Sequence, residues 1–516
     1  MLLPDWLARR AALHPGRPAL LVADAAWSFA ELDAWASAVA ARLAALGVAP
    51  GDRVALLARN TPAYVAAVHA APRAGVILVP LNARLAPAEL AWQLADCGAS
   101  LLLFDAPHAQ LAAGLLVTRG QGDKGTGGIP QFASLEQIAS PPPLVPPSPC
   151  PPLPLSPPPL VPLDSPHTII YTSGTTGRPK GAILTAGNHW WSATASALNL
   201  GLRDDDRWLA VLPLFHVGGL SILLRGAIYG IPVVLHERFD PAAALRAIEE
   251  QGVTIASVVA VMLQRILDAA GDRPLPAHFR CALLGGGPAP LPLLEACAAR
   301  GVPVVQTYGM TETASQAATL APADALRKLG SAGQPLLPVE LRIEAHGRAA
   351  APGEVGEICV RGPTVTAGYY GRPDATADAI RDGWLYTGDL GHLDAEGYLY
   401  VVDRRSDLII SGGENVYPAE VEAALLAHPA VLEAGVVGAP DPTWGQVPVA
   451  YVVARPGHAA GPELAAELLA FTRERLAAYK QPRRVTVVAS LPRTASGKLR
   501  RTELKQNPPP AAEGGA

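Results

Sequence analysis

Long apolar runs are missing from this chain of 516 residues. Hydrophobic residues make up 50% of it, yet no uninterrupted apolar stretch approaches the roughly 20 residues of a spanning helix. No membrane span is expected. Met1-Leu2-Leu3-Pro4-Asp5-Trp6 lacks a basic start followed by an apolar segment, so no secretory signal is expected. Cysteine is sparse. Cys97, Cys150, Cys281, Cys297 and Cys359 are scattered and odd in number, with no spacing that suits zinc or a disulfide framework. A reducing cytoplasm is the expected location. The net charge is −4 and no basic stripe is present, which argues against a nucleic-acid partner. Lysine is scarce beside abundant alanine, proline and arginine, which reads as compositional drift. There is no internal repeat.

The chain is long enough for two or more domains and a large core. Residues 5–48 place apolar side chains at helical spacing, as in Phe29, Leu32 and Ala36. Short buried strands are predicted at Arg53–Leu57, Val76–Pro80, Trp208–Leu212, Pro232–Leu235, Thr254–Val259 and Cys281–Leu284. Helical patterns near 62–71, 219–229, 240–251, 260–270 and 290–300 separate them. Such alternation predicts an α/β fold with a mainly parallel sheet and sites at the strands' carboxyl ends. Past Leu337, short alternating segments between Gly and Pro turns predict a β-rich subdomain. A compact α+β region follows from about Arg405.

Residues 118–165 break this rhythm. Glycines crowd 120–128, and prolines recur from 141 to 166. Proline removes backbone donors and favours extended conformation, so the stretch reads as a disordered insertion. A proline-rich ligand for a partner domain is the other reading. The tail 507–516 reads as disordered.

Chemistry concentrates first in Tyr171 to Gly181. Thr172, Ser173, Gly174, Thr175, Thr176, Gly177 and Lys180 follow the apolar run Thr168-Ile169-Ile170. Small residues let backbone approach a polyphosphate, hydroxyls and N–H groups donate to its oxygens, and lysine offsets its charge. A helix is expected from Leu184, giving the order strand, loop, helix. The loop is not a Walker A motif, because Gly177 is followed by Arg178-Pro179-Lys180-Gly181. A plain surface turn is the alternative. The loop closely resembles the signature of the AMP-forming superfamily of acyl- and aryl-CoA synthetases, luciferases and peptide-synthetase adenylation domains. That resemblance implies that it wraps the β- and γ-phosphates of ATP.

Other motifs are similar to the superfamily's in order and spacing, from the N-terminus to about Leu504. Pro213-Leu214-Phe215-His216 ends a strand; a capped core histidine is the plain reading, and the resemblance places His216 in the acyl pocket. Arg225 sits in an apolar helix, where a guanidinium needs an anion. That anion is either an internal partner or a substrate carboxylate held bidentately. Leu284-Gly285-Gly286-Gly287 is a tight turn that, by resemblance, borders adenine and the acyl group. In Thr307-Tyr308-Gly309-Met310-Thr311-Glu312, Tyr308 can stack on adenine, Thr311 can donate to the α-phosphate, and Glu312 can hold Mg²⁺. Thr176 is the second expected magnesium ligand, and Ser315 a further acyl-pocket residue. Asp389 can accept both ribose hydroxyls, and the position of Arg404 contacts ribose or phosphate in the superfamily. Ser406 matches the hinge between a large domain, 1–404, and a small mobile domain, 405–506. Gly412-Gly413-Glu414 resembles the loop that builds the pantetheine tunnel for coenzyme A. Lys498, in Thr494-Ala495-Ser496-Gly497-Lys498, is either a solvated surface lysine or, by resemblance, the cation bridging acyl carboxylate and α-phosphate.

Finer likeness points to the o-succinylbenzoate–CoA ligases of menaquinone synthesis. It rests on Phe215–Arg225, Val258–Arg265, Leu283–Pro290, Gln306–Gln316 and Lys328–Pro335. The resemblance implies ATP, Mg²⁺ and coenzyme A as cosubstrates and cofactor, and a dicarboxylic acid anchored by Arg225. Gly218 departs from the pattern, standing where some members carry a substrate-binding serine. Two alternatives stay open: a ligase for a monocarboxylic acid, and an adenylating partner of a carrier protein or a nucleotide-binding non-enzyme. Oligomeric state is left open, a homo-oligomer included.

Overall fold

The computed structural model describes residues 1–23, 25–119, 131–140, 159–172, 178–286, 289, 291–403, 408–458, 460–492, 499 and 501–511. Its first sheet has six strands. Arg53–Leu57 lies centrally, parallel to Ile77–Pro80 and Leu101–Phe104. Pro166–Thr172 extends the sheet parallel to Ile77–Pro80, and Lys180–Thr185 closes that edge antiparallel. Strand cores such as Val54, Ala55, Leu56 and Leu57 are buried on both faces, as continuous apolar runs require.

The second sheet carries the site. Pro18–Val22, Val233–Leu235, Trp208–Ala210, Ile255–Val258, Cys281–Leu284 and Val304–Tyr308 run parallel. Helices Val217–Tyr229, Pro241–Glu250, Ala260–Ala270 and Leu291–Ala299 alternate with them. The sheet then continues antiparallel through Ala318–Leu320 and Ser331–Pro335 into the strands beyond residue 337. The β-rich segment is therefore hydrogen-bonded to the α/β sheet and does not stand apart. Helix Phe29–Ala45 shows how sequence sets local structure here. Ser28 and Glu31 form a capping box, and Phe29, Leu32, Trp35, Ala36, Val39 and Leu43 make its buried stripe.

Beyond residue 408 the chain builds its own sheet from Ile409–Ser411, Glu414–Val416, Val431–Asp441, Gly445–Ala454 and Arg484–Val487. Helices Pro418–Leu426 and Pro462–Arg473 cover it, burying Val421, Leu425, Leu464 and Leu468 against Val436 and Val452. This is a separate small core, as an α/β fold with a distinct C-terminal domain requires. Among the described residues no helix is long and apolar enough to cross a membrane.

Three expectations need correction. The order strand, loop, helix does not hold after Thr172. Lys180–Thr185 is a strand paired with Pro166–Thr172, and the helix starts at Ala186 behind the Thr185 cap. The described chain on either side of 173–177 is thus an antiparallel strand pair, and no helix N-terminus directly follows that stretch. Gly181 fits that pairing because a Cβ there would lie 2.6 Å from Ile169 Cγ2. The reading of 118–165 as disordered is also too broad. Gln131–Ser134 adds to the first sheet, and Leu135–Ile138 forms a helical turn. Leu135 and Ala139 are buried, and Trp35 Nε1 donates to the Ala139 carbonyl at 3.1 Å. Apolar side chains thus recruit part of a stretch whose overall composition looked unable to fold. Leu160–Pro162 pairs with Leu2–Pro4 as a two-stranded ribbon, where proline is tolerated at an edge. The remainder, 120–130 and 141–158, lies outside the described residues. The tail is placed as far as Ala511, which bridges Val488.

Candidate active site

The carboxyl ends of the parallel strands open into one cavity of about 780 Å³. Four strand ends feed it. Trp208–Ala210 leads to Phe215, His216 and Gly218, and Ile255–Val258 to Val259 and Met262. Cys281–Leu284 leads to Gly285 and Gly286, and Val304–Tyr308 to Gly309, Met310 and Thr311. Gly412, Gly413 and Glu414 close the cavity from the small domain.

Glu312 lines the cavity and is 4% exposed. Its Oε1 accepts hydrogen bonds from Thr172 Oγ1 at 3.2 Å and Tyr369 Oη at 3.0 Å. Burial raises its pKa, and nearby Asp389 adds to the effect. No cationic side chain is paired with it among the described residues. Lys180 Nζ lies 5.2 Å from the Tyr369 ring centroid. Tyr308 is buried and donates its hydroxyl to Asp389 Oδ2 at 2.8 Å. Thr307 is pinned to the Ala318 carbonyl at 2.9 Å. Gly309 lets the chain fold back sharply, since a Cβ there would lie 1.6 Å from the Ser315 carbonyl. The fold-back carries strain, with Ala314 at φ 51° and Ser315 at φ 102°. It turns Thr311, Glu312 and Ser315 to the cavity.

Arg225 also lines the cavity, although only 2% of it is exposed. Its Nη2 donates to Ser192 Oγ at 3.2 Å, and the guanidinium lies 5.5 Å from the Trp208 ring centroid. Its Nε has no partner, and no carboxylate among the described residues pairs with it. Burial lowers its pKa without removing its charge at neutral pH. Among the described residues no internal acid, the plain reading of its position, is found. Gln316, which the sequence reading missed, lines the same cavity. It is 2% exposed and neither amide atom is hydrogen-bonded. Its position beside the Thr311–Ser315 motif was the available signal.

His216 precedes helix Val217–Tyr229, and its Nε2 lies 3.2 Å from Glu414 Oε2. Arg84 binds the other Glu414 oxygen. Burial pushes the Glu414 carboxyl up, but His216, Arg84 and Lys480 outweigh it and hold the pKa below its ordinary value. Gly412, at φ 59°, packs its Cα face on Trp444. Ser173, Gly174, Thr175, Thr176, Gly177, Gly287, Arg404, Ser406 and Lys498 lie outside the described residues.

The residues suit a nucleotide bound with a hard cation. No group of three acidic, histidine or cysteine residues forms a metal cage among the described residues. A single buried carboxylate without a cationic partner fits an ion whose remaining ligands are phosphates and water. An AMP-binding enzyme model matches residues 7–370, and an AMP-binding enzyme C-terminal domain model matches 420–498.

The chain belongs to the AMP-binding enzyme family.

Among AMP-binding enzymes, 2-succinylbenzoate–CoA ligase of Geobacillus kaustophilus is 53% identical over 504 residues, covering 98% of each chain. Two solved structures of Bacillus subtilis o-succinylbenzoate CoA synthetase are 46% identical. A double mutant with the product analogue OSB-NCoA gives a TM-score of 0.87, covering 100% of this chain and 99% of that one. The complex with the acyl-adenylate OSB-AMP gives 0.71, covering 100% of both. At equal identity the scores differ, so this AMP-binding enzyme is arranged more like the product-analogue structure. Leu499 packs near Leu491 and Leu504 on the small domain's own core.

Proposed function

We propose that this enzyme joins 2-succinylbenzoate to coenzyme A through an acyl-adenylate, with release of pyrophosphate and then AMP. The observation that carries the substrate choice is Arg225. A buried cation without an acidic partner needs an anion, and a dicarboxylic substrate supplies one while its other carboxylate reacts. The full-length relatives named above support the same substrate.

A carboxylate is a poor acyl donor because its leaving group would be oxide. Its oxygen attacks the α-phosphorus of ATP, the bond to the β-phosphate oxygen breaks, and a mixed anhydride forms. The charge built up there calls for donors and cations placed beforehand. The Ser173–Gly177 loop, Thr172 and Lys180 hold the β- and γ-phosphates, and Thr311 donates to the α-phosphate. Asp389 takes the ribose hydroxyls, with Arg404 beside them. Gly285, Gly286, Gly287, Thr307, Tyr308 and Gly309 frame adenine. Glu312 and Thr176 would hold Mg²⁺, which would offset phosphate charge. Lys498 bridges the carboxylate and α-phosphate in this first step.

The thiol of coenzyme A then attacks the acyl carbon and AMP leaves. Rotation about Ser406 exchanges Lys498 for the Gly412–Glu414 loop, so one small domain, 405–506, serves both steps. His216, Ser315, Gly285 and Arg225 shape the acyl pocket. Cys97, Cys281, Cys297 and Cys359 are free thiols, in keeping with a reducing cytoplasm.

The test is AMP release with ATP, Mg²⁺ and coenzyme A, comparing 2-succinylbenzoate with benzoate, 4-coumarate and medium-chain fatty acids. Strong preference for 2-succinylbenzoate with thioester formed is expected. Preference for a monoacid would keep the adenylation chemistry and overturn the substrate.

A further inference from the structure

The small domain touches the large one through a short turn after helix Pro462–Arg473. Ala477 is buried within the large domain's apolar cluster with Leu85 and Ile169. Asn82 Nδ2 donates to Tyr479 Oη at 3.1 Å. At the centre is Lys480, whose Nζ lies 2.8 Å from Glu89 Oε1 and 2.6 Å from Glu420 Oε1. The side chains of Lys480, Glu89 and Glu420 are 5%, 11% and 7% exposed.

These two pairs differ in what domain rotation does to them. Lys480 and Glu420 belong to the same small domain, so their pair travels intact. Glu89 lies on helix Pro87–Asp96 of the large domain, so its pair exists in this orientation only. Glu89 is also held in advance by its own helix. Its Oε2 accepts from Ala86 N at 2.8 Å as a helix cap, a bond within the large domain, and the small domain's Ala477 N adds a second at 3.0 Å in this orientation. The carboxylate is therefore oriented before the small domain arrives, which lowers the entropy lost on docking. Buried charge pairs are geometrically selective, because a misplaced partner leaves an uncompensated charge.

We propose that Glu89 and Lys480 are positioning residues for thioester formation, forming a buried latch that sets the small domain in the orientation that presents Gly412–Glu414 to the acyl group. The latch does not touch the reacting atoms. It acts through the 476–480 turn, on the same rigid body as the 412–414 loop. It rests on the proposed two-step reaction only in needing two orientations, and not on the identity of the acid.

The two half-reactions are measured separately on the full chain. Adenylation is read as acid-dependent exchange of labelled pyrophosphate into ATP, and thioester formation as transfer from enzyme-bound adenylate to coenzyme A. Glu89→Gln keeps an oxygen for the Ala86 and Ala477 N–H groups but removes the charge. The expected result is a thioester rate about 10-fold lower or more, with pyrophosphate exchange within about 2-fold of the unmodified chain. Lys480→Met is expected to show the same split, and Lys480→Arg to restore most of the thioester rate. A parallel fall in both half-reactions marks a merely structural role and overturns the latch, as does an unchanged thioester rate. If the unmodified chain exchanges pyrophosphate with another acid but not with 2-succinylbenzoate, the substrate reading fails. The comparison then runs on that acid and still decides the latch.

Discussion

His216 Nε2 and Glu414 Oε2 meet at 3.2 Å across 198 residues of sequence. The pair joins the start of helix Val217–Tyr229 to the loop of the small domain. Glu414→Ala removes the partner of both His216 and Arg84 at the cavity mouth. We expect the KM for coenzyme A to rise and thioester formation to fall about 10-fold, the scale of a charge-assisted hydrogen bond. Steady-state titration of coenzyme A checks this.

Arg225→Met removes a buried cation that has no acidic partner among the described residues. Replacing it by an apolar side chain of similar length should raise thermal stability or leave it unchanged. It should lower kcat/KM for 2-succinylbenzoate by about 10- to 100-fold, with the KM for ATP preserved. Thermal melts and kinetics with a monocarboxylic acid as comparator separate the two effects. Equal loss for both acids would remove Arg225 from substrate recognition.

Gln316→Leu tests the unpartnered amide. Without substrate, exchange of two unsatisfied buried polar atoms for methyl groups should stabilise the chain by about 1 kcal/mol or more. With 2-succinylbenzoate, whose ketone and carboxylates can pair with an amide, kcat/KM should fall. A gain in stability with no kinetic change would make Gln316 a bystander.

Glu312→Gln keeps the shape of the side chain and removes its charge. Adenylation should fall by about 100-fold or more, since one preorganised electrostatic group is commonly worth that much. The dependence of pyrophosphate exchange on Mg²⁺ concentration should shift to higher concentrations. Burial raises the pKa of this acid, so the variant should melt at the same or a higher temperature.

The buried histidines make the chain acid-sensitive. Burial lowers His69 and His167 to about 4 from an ordinary 6.5. The unfolded chain takes up these protons first as pH falls, so stability is intact above about 6.5 and declines toward 4. Each contributes about 3 kcal/mol over that window at 1.36 kcal/mol per pH unit. Glu420 works in the opposite sense. Burial, with Glu89 nearby and Lys480 opposing, raises its pKa, so its contribution is present at acid pH and is lost as pH rises above the ordinary carboxylate range. Melting temperatures of His167→Phe and Glu420→Gln across pH 4 to 8 should bend the profile in opposite directions relative to the unmodified chain.

Much of this was legible without coordinates. Helix Phe29–Ala45 announces itself through a capping box and an apolar stripe, and the parallel strands through short apolar runs between helices. These are local signals, carried by neighbours within a few residues. The hairpin at Lys180 was not legible, because Gly181-Ala182-Ile183-Leu184 suits either a strand or a helix start. Its pairing with Ile169 and Ile170 decides the outcome. The same holds for Gln131–Ile138, whose few apolar residues fold only because the first sheet and Trp35 receive them.

For the chemistry, sequence by itself determined the family and the kinds of groups present: a hydroxyl loop, a carboxylate in Thr311-Glu312, an arginine in an apolar helix. Residue type sets charge, donor capacity and backbone freedom wherever the chain places them. Only the tertiary structure decided which groups share a cavity and which lack partners. That, among the described residues, Arg225 is buried without an acid and Gln316 without a hydrogen bond, and that Lys480 reaches Glu89 across 391 residues, depends on packing between distant segments. Local propensity carries no record of such packing, because its free energy arises when the segments meet.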